Sequence, residues 1–244
     1  PMINIVGDHA SYHLKHNAPL TSDLDGLAKS SSDWVKRVSS PEQITQCAND
    51  AWKAANESPG NIATLIVPAD YAWSDIQSDL PKKVKLNNRK SVDNKLIEAA
   101  YKLLLKPNSM LYLGGKFLDE ECLKFAAQIA TKTGCRLVTD TFVSRIRRGA
   151  GLPIVQQVPY FSEMAEDFLQ GTESIVFIGT KPPVSFFAYP DKKSFLSPDE
   201  AELFELCSVE ENGYETLALL SELSGSPKIA NELIRPYISD VPTS

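Results

Sequence analysis

The three histidines of this 244-residue chain, His9, His13 and His16, all fall within one stretch reading Gly7-Asp8-His9-Ala10-Ser11-Tyr12-His13-Leu14-Lys15-His16. Imidazole has an unperturbed pKa of about 6.5, so it exchanges protons near neutral pH and serves as a general acid or base. His9, nearest the apolar run Met2-Ile3-Asn4-Ile5-Val6, is the first catalytic candidate and His13 the second, with Tyr12 as a hydrogen-bond donor beside them. Two other readings stand next to proton transfer. His9 and His13 are four residues apart and adjoin Asp8, which on a helix would put both rings on one face for a metal. The zinc-protease pattern, however, needs a glutamate directly after the first histidine, and Ala10 stands there. The third reading is a polar surface loop or subunit contact in which the imidazoles only hydrogen-bond.

The elements that must position this loop are legible as an alternation. The run Met2 to Val6, stopping at Gly7, reads as a buried strand reaching its carboxyl end, the place where ligands gather in α/β sheets. Ser40-Pro41-Glu42 offers an N-cap, a first-turn proline and a first-turn acid, and the apolar stripe from Ile44 to Ala55 extends that helix to about Asn56. Ser58-Pro59-Gly60 ends it. Ile62 to Pro68 is a near-continuous apolar strand of the kind a parallel sheet covers on both faces. Residues 1 to 70 therefore read strand, loop, helix, strand.

From Ser74 to Arg89 the chain turns polar and basic around Pro81, as an interdomain linker would, and Lys82-Lys83-Val84-Lys85 with Arg89-Lys90 is its solvated charge. A second unit follows, with helices over Val92–Leu105, Asp119–Thr133, Tyr160–Leu169 and near Tyr214–Leu223. Its strands are read at Ser109–Leu113, Cys135–Asp140, Ser174–Ile178 and Glu202–Leu206. Strands alternating with helices imply parallel, doubly wound α/β sheets. Gly114-Gly115 ends a strand without the G-x-G-x-x-G spacing that grips a pyrophosphate, so it is a cofactor-binding candidate set against a plain structural turn. In Gly179-Thr180-Lys181-Pro182-Pro183 the successive prolines offer no amides, which suits rigidity or partner contact rather than an anion. Arg145-Ile146-Arg147-Arg148 before Gly149-Ala150-Gly151 leaves a phosphate-holding loop open beside a solvated one.

Composition narrows the classes. A hydrophobic fraction of 43%, a charged fraction of 23% and a mean hydropathy of -0.19 are those of a globular chain with an ample core. A net charge of -6 argues against a nucleic-acid partner, whose affinity rests on clustered Lys and Arg. No apolar run approaches the roughly 20 residues of a membrane span, and no export signal is read at the start, so the expectation is a cytoplasmic protein without a membrane partner. Cys47, Cys122, Cys135 and Cys207 stand far apart, without zinc or dithiol spacing, as ordinary core thiols.

Asn4-Ile5-Val6-Gly7-Asp8-His9-Ala10, Asn17 through Asp23 and the run Gly60 to Asp70, closing in Val67-Pro68-Ala69-Asp70, resemble thiamine-diphosphate-dependent enzymes of the acetolactate synthase type. Leu111 to Gly115, Arg148 to Pro153 and Ile178 to Tyr189 look like that family's central domain. The resemblance implies residues 1–73 as the C-terminal half of a pyrimidine-binding domain, 74–90 as a linker and 91–244 as a Rossmann-like central domain. It implies an enzyme that makes or breaks a carbon–carbon bond beside the carbonyl of a 2-oxo acid, as a carboligase (transferase) or a decarboxylase (lyase), with thiamine diphosphate and magnesium. Several decarboxylases of the superfamily use histidines in the loop where His9 and His13 stand.

Two family features are not found in this sequence: the glutamate that activates the cofactor's aminopyrimidine, and the G-D-G motif with a distal Asn that holds magnesium and diphosphate. The chain therefore reads as a fragment that by itself neither binds the cofactor tightly nor catalyses. FAD, held by some members at a glycine turn and an arginine-bearing segment, is disfavoured because Lys181-Pro182-Pro183 replaces the latter. The resemblance also implies a homo-oligomer, and a half domain with an open sheet edge is expected to self-associate. The alternative from another class is a non-catalytic α/β module for ligand binding or subunit assembly.

Overall fold

The computed structural model describes residues 1–76 and 84–236. Lys82-Lys83 and Pro81, central to the linker reading, lie outside the described residues. The chain divides into two compact units, Pro1–Asn88 and Arg89–Ser244.

The first unit is built on strands β1 (Met2–Asp8), β2 (Trp34–Arg37) and β3 (Ile62–Pro68), with helices α1 (Leu24–Lys29), α2 (Ile44–Asn56) and α3 (Ala69–Trp73). All strands run parallel in the order β1-β3-β2. β3 is central and carries the burial its apolar run predicts, with Ala63, Leu65 and Ile66 at 3% exposure or less. Val38, Cys47 and Leu65, then Ala51, Ala55 and Ala63, form two small cores between α2 and the sheet.

Three expectations for this unit are corrected. β1 is not a buried strand: among the described residues it pairs with β3 alone, and Ile5 is 75% exposed. Burial is set by the number of neighbours, which its local composition does not encode. The supposed loop before α2 holds α1 and β2, each too short and too charged to show a period. The turn at Pro41 is a 3-10 turn, Pro41–Gln43, and the α-helix begins only at Ile44.

The second unit is a five-stranded sheet in the order β6-β5-β4-β7-β8, with every pairing parallel. Its strands are β4 (Ser109–Leu113), β5 (Arg136–Thr139), β6 (Gln156–Gln157), β7 (Ser174–Ile178) and β8 (Glu202–Cys207). Its helices are α4 (Asn94–Leu104), α5 (Glu120–Thr133), α6 (Ser162–Leu169) and α7 (Gly213–Leu223). Side chains alternate across the sheet as strand geometry requires. Leu111, Leu113, Val176 and Ile178 pack with α4, α5 and α7, while Met110, Tyr112, Ile175 and Phe177 pack with α6.

Helix starts follow their caps: Asp93 accepts from the Lys95 amide at 2.8 Å and Asp119 from the Cys122 amide at 2.9 Å. α5 stops at Gly134, whose φ of 76° suits a residue without Cβ. α6 begins two residues later than read, because Phe161 is an extended N-cap and Tyr160, exposed like it, lies in a bend. All four cysteines are buried, and burial pushes the Cys135 and Cys207 thiols up to about 11, so they are inert core thiols. Phe177, fully buried and 5.2 Å from the Tyr112 ring, is the test of this core. Phe177→Ala is expected to cost about 3–5 kcal/mol in chemical denaturation, since the sheet cannot collapse into the void.

Candidate active site

The histidine loop leaves the carboxyl end of β1 and is fixed at two points. Asp8, its side chain only 5% exposed, forms an ion pair with Arg37 at the end of β2. Arg37 also donates from Nη2 and Nε to Asp25 of α1, at 2.7 and 3.0 Å. Burial works against the guanidinium charge, but the bonds from Asp8 and Asp25 outweigh it and hold Arg37 above the usual arginine value. The free oxygen of Asp8 accepts from the His9 amide at 2.7 Å, so the charge cluster sets where the loop begins.

The second fixing point is Asp70, in the first turn of α3. Its carboxylate accepts from the Ser11 amide at 2.9 Å and from the Ser11 hydroxyl at 2.5 Å. Slight desolvation works to raise its pKa, and these bonds with the backbone amides of Asp70 and Tyr71 more than offset it, leaving it below the usual carboxylate range. A carboxyl with a depressed folded pKa stabilises fully above its unfolded value, about 3.9, and the contribution is lost as pH falls through the folded one. Hydrogen-exchange protection of the Ser11 amide is therefore expected to be retained at neutral pH and to fall in acid. Asp70→Asn, which removes the charge, is expected to weaken it at neutral pH as well.

Between the two points the chain turns into a 3-10 segment, Leu14–His16, closed by Asn17 in the left-handed region. His9 Nε2 lies 3.1 Å from the carbonyl of Pro19. The His9 and His13 rings stand 5.5 Å apart and those of His13 and His16 5.8 Å apart, each pair tilted. His9, Tyr12 and His13 line one open cleft of about 490 Å³ with Leu20 and Trp73, whereas His16 does not line it. The loop is not an α-helix, and among the described residues no group of three His, Cys, Asp or Glu is placed to hold a metal ion. The cleft is suited to giving or taking a proton at a carbonyl or carboxylate oxygen lying over the two imidazoles.

Gly114 and Gly115 occupy the other sheet, at the end of β4. The Gly114 amide bonds the Ile178 carbonyl at 2.9 Å, and a Cβ on Gly114 would stand 2.5 Å from Thr180 Cβ. A Cβ on Gly179 would collide with the Phe117 ring. The glycines thus let the loops after β4 and β7 approach each other, with Phe117 filling the space. Gly114→Val is expected to lower stability by roughly 1–3 kcal/mol through overpacking against Thr180 Cβ and the Gly179 carbonyl, read as a drop in denaturation midpoint. At the same sheet end Asp140 accepts from Tyr112 at 2.9 Å and Thr180 at 2.6 Å, facing a cleft of about 280 Å³ that also holds Pro182 and Pro183. Burial, then the Asp140 charge, raises the Tyr112 phenol well above its usual range, so it stays a neutral donor. A fixed carboxylate, two prolines and a filled glycine turn do not fit the phosphates of a dinucleotide. Arg148 donates to Gln157 of β6 at 2.9 Å, a tie between its loop and the edge strand.

No family model matches the chain. Its fold is that of the thiamine-diphosphate-dependent enzymes. All of the chain superposes on 49% of a Rhodococcus jostii RHA1 thiamine diphosphate-dependent 4-hydroxybenzoylformate decarboxylase, at TM-score 0.75 and 17% identity. It matches 47% of the benzoylformate decarboxylase of Polynucleobacter necessarius at TM-score 0.72 and 19% identity, over 98% of this chain. In sequence the chain is 39% identical over 209 residues, 84% of its length, to a Mycobacterium tuberculosis protein named as an acetolactate synthase large subunit, IlvX. The chain spans 39% of that relative and about half of the solved structures. The resemblance to the acetolactate synthase type, read from Val67-Pro68-Ala69-Asp70 and the flanking motifs, is borne out along most of the chain.

Sequence reasoning missed the two fixing points of the loop. Asp70 was visible only as the end of a motif, 59 residues from Ser11, and Arg37 lay in a strand that carried no periodic signal.

Proposed function

We propose that this chain supplies part of a thiamine-diphosphate-dependent enzyme acting on a 2-oxo acid, as an acetolactate synthase-like carboligase or a decarboxylase. The observation that carries the reading is the cleft at the carboxyl ends of β1 and β3, where the Asp8–Arg37 pair and Asp70 hold His9 and His13 side by side. The relative named as an acetolactate synthase subunit supports the class. Residues 1–73 act as the C-terminal half of a pyrimidine-binding domain, 74–90 as a linker and 91–244 as the central domain.

Thiamine diphosphate, when bound, supplies the nucleophilic carbon that attacks the 2-oxo group. In this reading magnesium and the diphosphate are held by other parts of the complete enzyme, since the G-D-G motif with a distal Asn is not found in this sequence, and this chain alone holds the cofactor weakly. His9 and His13 orient the substrate and move a proton at its carbonyl or carboxylate oxygen, with Tyr12 as a further donor. Asp70 and Arg37 are positioning residues that act through the loop. FAD has no place in this reading, given Asp140 and Pro182-Pro183 at the second sheet. The complete enzyme is a cytoplasmic homo-oligomer; among the described residues no helix is long and apolar enough to cross a membrane.

Carbon dioxide release from pyruvate and from benzoylformate, measured with the complete protein, thiamine diphosphate and magnesium, tests the assignment. Turnover that vanishes when thiamine diphosphate is omitted is expected. Absence of turnover and of cofactor binding overturns it in favour of a non-catalytic α/β module.

A further inference from the structure

The second unit carries an exposed aromatic cleft that the proposed chemistry does not use. One wall is Tyr160 and Phe161, the two residues ahead of α6, and the other is Phe186, Phe187 and Tyr189 from the loop after β7. That loop is braced at its base, where Val184 pairs with Phe195 and the Ser185 amide bonds the Ser194 carbonyl at 2.8 Å. Phe186 and Phe187 stand 4.7 Å apart at 80°, Tyr160 and Phe161 5.3 Å apart at 75°, and Tyr160 and Phe186 join the walls at 5.8 Å. These rings pack edge-to-face or tilted against one another, and the cleft they line encloses about 450 Å³. Phe161, Phe186, Phe187 and Tyr189 are each more than half exposed, so they are not core residues.

The charges on this cleft select among ligands. Glu163, in the first turn of α6, lines it, and its carboxylate already holds an ammonium, Lys192 Nζ at 2.8 Å. Glu166 adds to the negative field felt by Lys192. The next lysine, Lys193, is tied to Asp199 at 2.9 Å, so Lys192 and Lys193 are each already paired with a carboxylate. Ring faces carry negative electrostatic potential and attract cations, most strongly those that shed water easily. An anion would meet the Glu163 carboxylate, and an uncharged ligand would leave it unused.

We propose that this cleft binds a small organic cation of the methylated-ammonium class, seated against the exposed rings and facing Glu163, whose present partner Lys192 the ligand displaces. The Lys192–Glu163 pair is about half exposed, and such pairs contribute little, so its displacement opposes binding only weakly.

Isothermal titration of the full protein with choline, with its uncharged isostere neohexyl alcohol and with AMP tests this. Choline is expected to bind at least about tenfold more tightly than the isostere, a difference of about 1.4 kcal/mol. The double variant F186A/F187A, which removes exposed rings and leaves the core intact, is expected to lose about tenfold in choline affinity. Lys192→Ala is expected to tighten choline binding and Glu163→Gln to weaken it. Equal binding of the isostere, preferential binding of AMP, or no choline binding to both the parent protein and the Lys192→Ala variant would overturn the proposal.

Discussion

Replacement of His9 by alanine in the complete enzyme is expected to lower kcat by about 10²–10⁴-fold, the usual contribution of a positioned proton donor or acceptor. The geometry gives the reason for choosing His9. Its backbone amide is bound to Asp8, its ring nitrogen lies against the Pro19 carbonyl, and the residue lines the cleft. A ring held at both backbone and side chain needs little reorganisation when a substrate oxygen arrives. His13→Ala is expected to produce a smaller loss of the same kind, since that ring stands beside His9 in the same cleft. His16→Ala serves as the internal control, because its ring does not line the cleft. Steady-state kinetics against pH separate the roles. Loss of one ionisation from the kcat/KM profile in the His9 variant, with KM little changed, marks proton transfer. A change confined to KM marks substrate contact alone, and unchanged turnover in both the His9 and His13 variants removes the site.

Strands that are buried on both faces announced themselves. β3, β4 and β7 are near-continuous apolar runs, and their central place in the two sheets follows from that composition. β2 stayed hidden because half of its four residues are Lys36 and Arg37, whose charges are spent on Asp50 at 3.0 Å and on Asp8 and Asp25. A residue selected for an ion pair across the fold carries no local signature of strand. The edge position of β1 was equally illegible, since Ile3 and Ile5 have the strand preference of buried residues while their exposure depends on what pairs next to them. α1 failed for a different reason, being six residues long with Gly26 inside it.

The site divides in the same way. Three histidines in so short a span are visible by counting, and the strand before them ends at Asp8, one residue beyond the glycine. What converts a polar loop into a fixed one is long-range: Asp70 reaches back 59 residues to Ser11, and Arg37 bridges the ends of β1 and β2 to α1. The aromatic cleft was masked too, because Tyr160-Phe161 and Phe186 to Tyr189 are separate in sequence and meet only through the loop after β7. In each case the chemistry-bearing residue types were readable, and the contacts that orient them were not.

Arg37→Ala is expected to destabilise the first unit by about 2–3 kcal/mol, somewhat less than the full cost of breaking a buried pair, because the Arg37 side chain keeps 32% exposure. The cost arises on the partner: the Asp8 side chain is 5% exposed, and without Arg37 its carboxylate is left in poor solvent contact with the His9 amide as its nearby donor. Asp25, 41% exposed, can turn to water and contributes less. Thermal and urea denaturation should therefore show the loss for Arg37→Ala and a much smaller one for Asp25→Ala. The double variant R37M/D8N removes both charges and is expected to recover part of the stability, giving a non-additive cycle. The loop links this stability effect to function. If the Asp8–Arg37 pair positions His9, the double variant, although stable, should still turn over slowly, because the side-chain amide that replaces the Asp8 carboxylate is a weaker, neutral acceptor for the His9 backbone N–H. Restored stability with full activity would instead confine Arg37 to a structural role and leave Asp70 as the single anchor of the histidine loop.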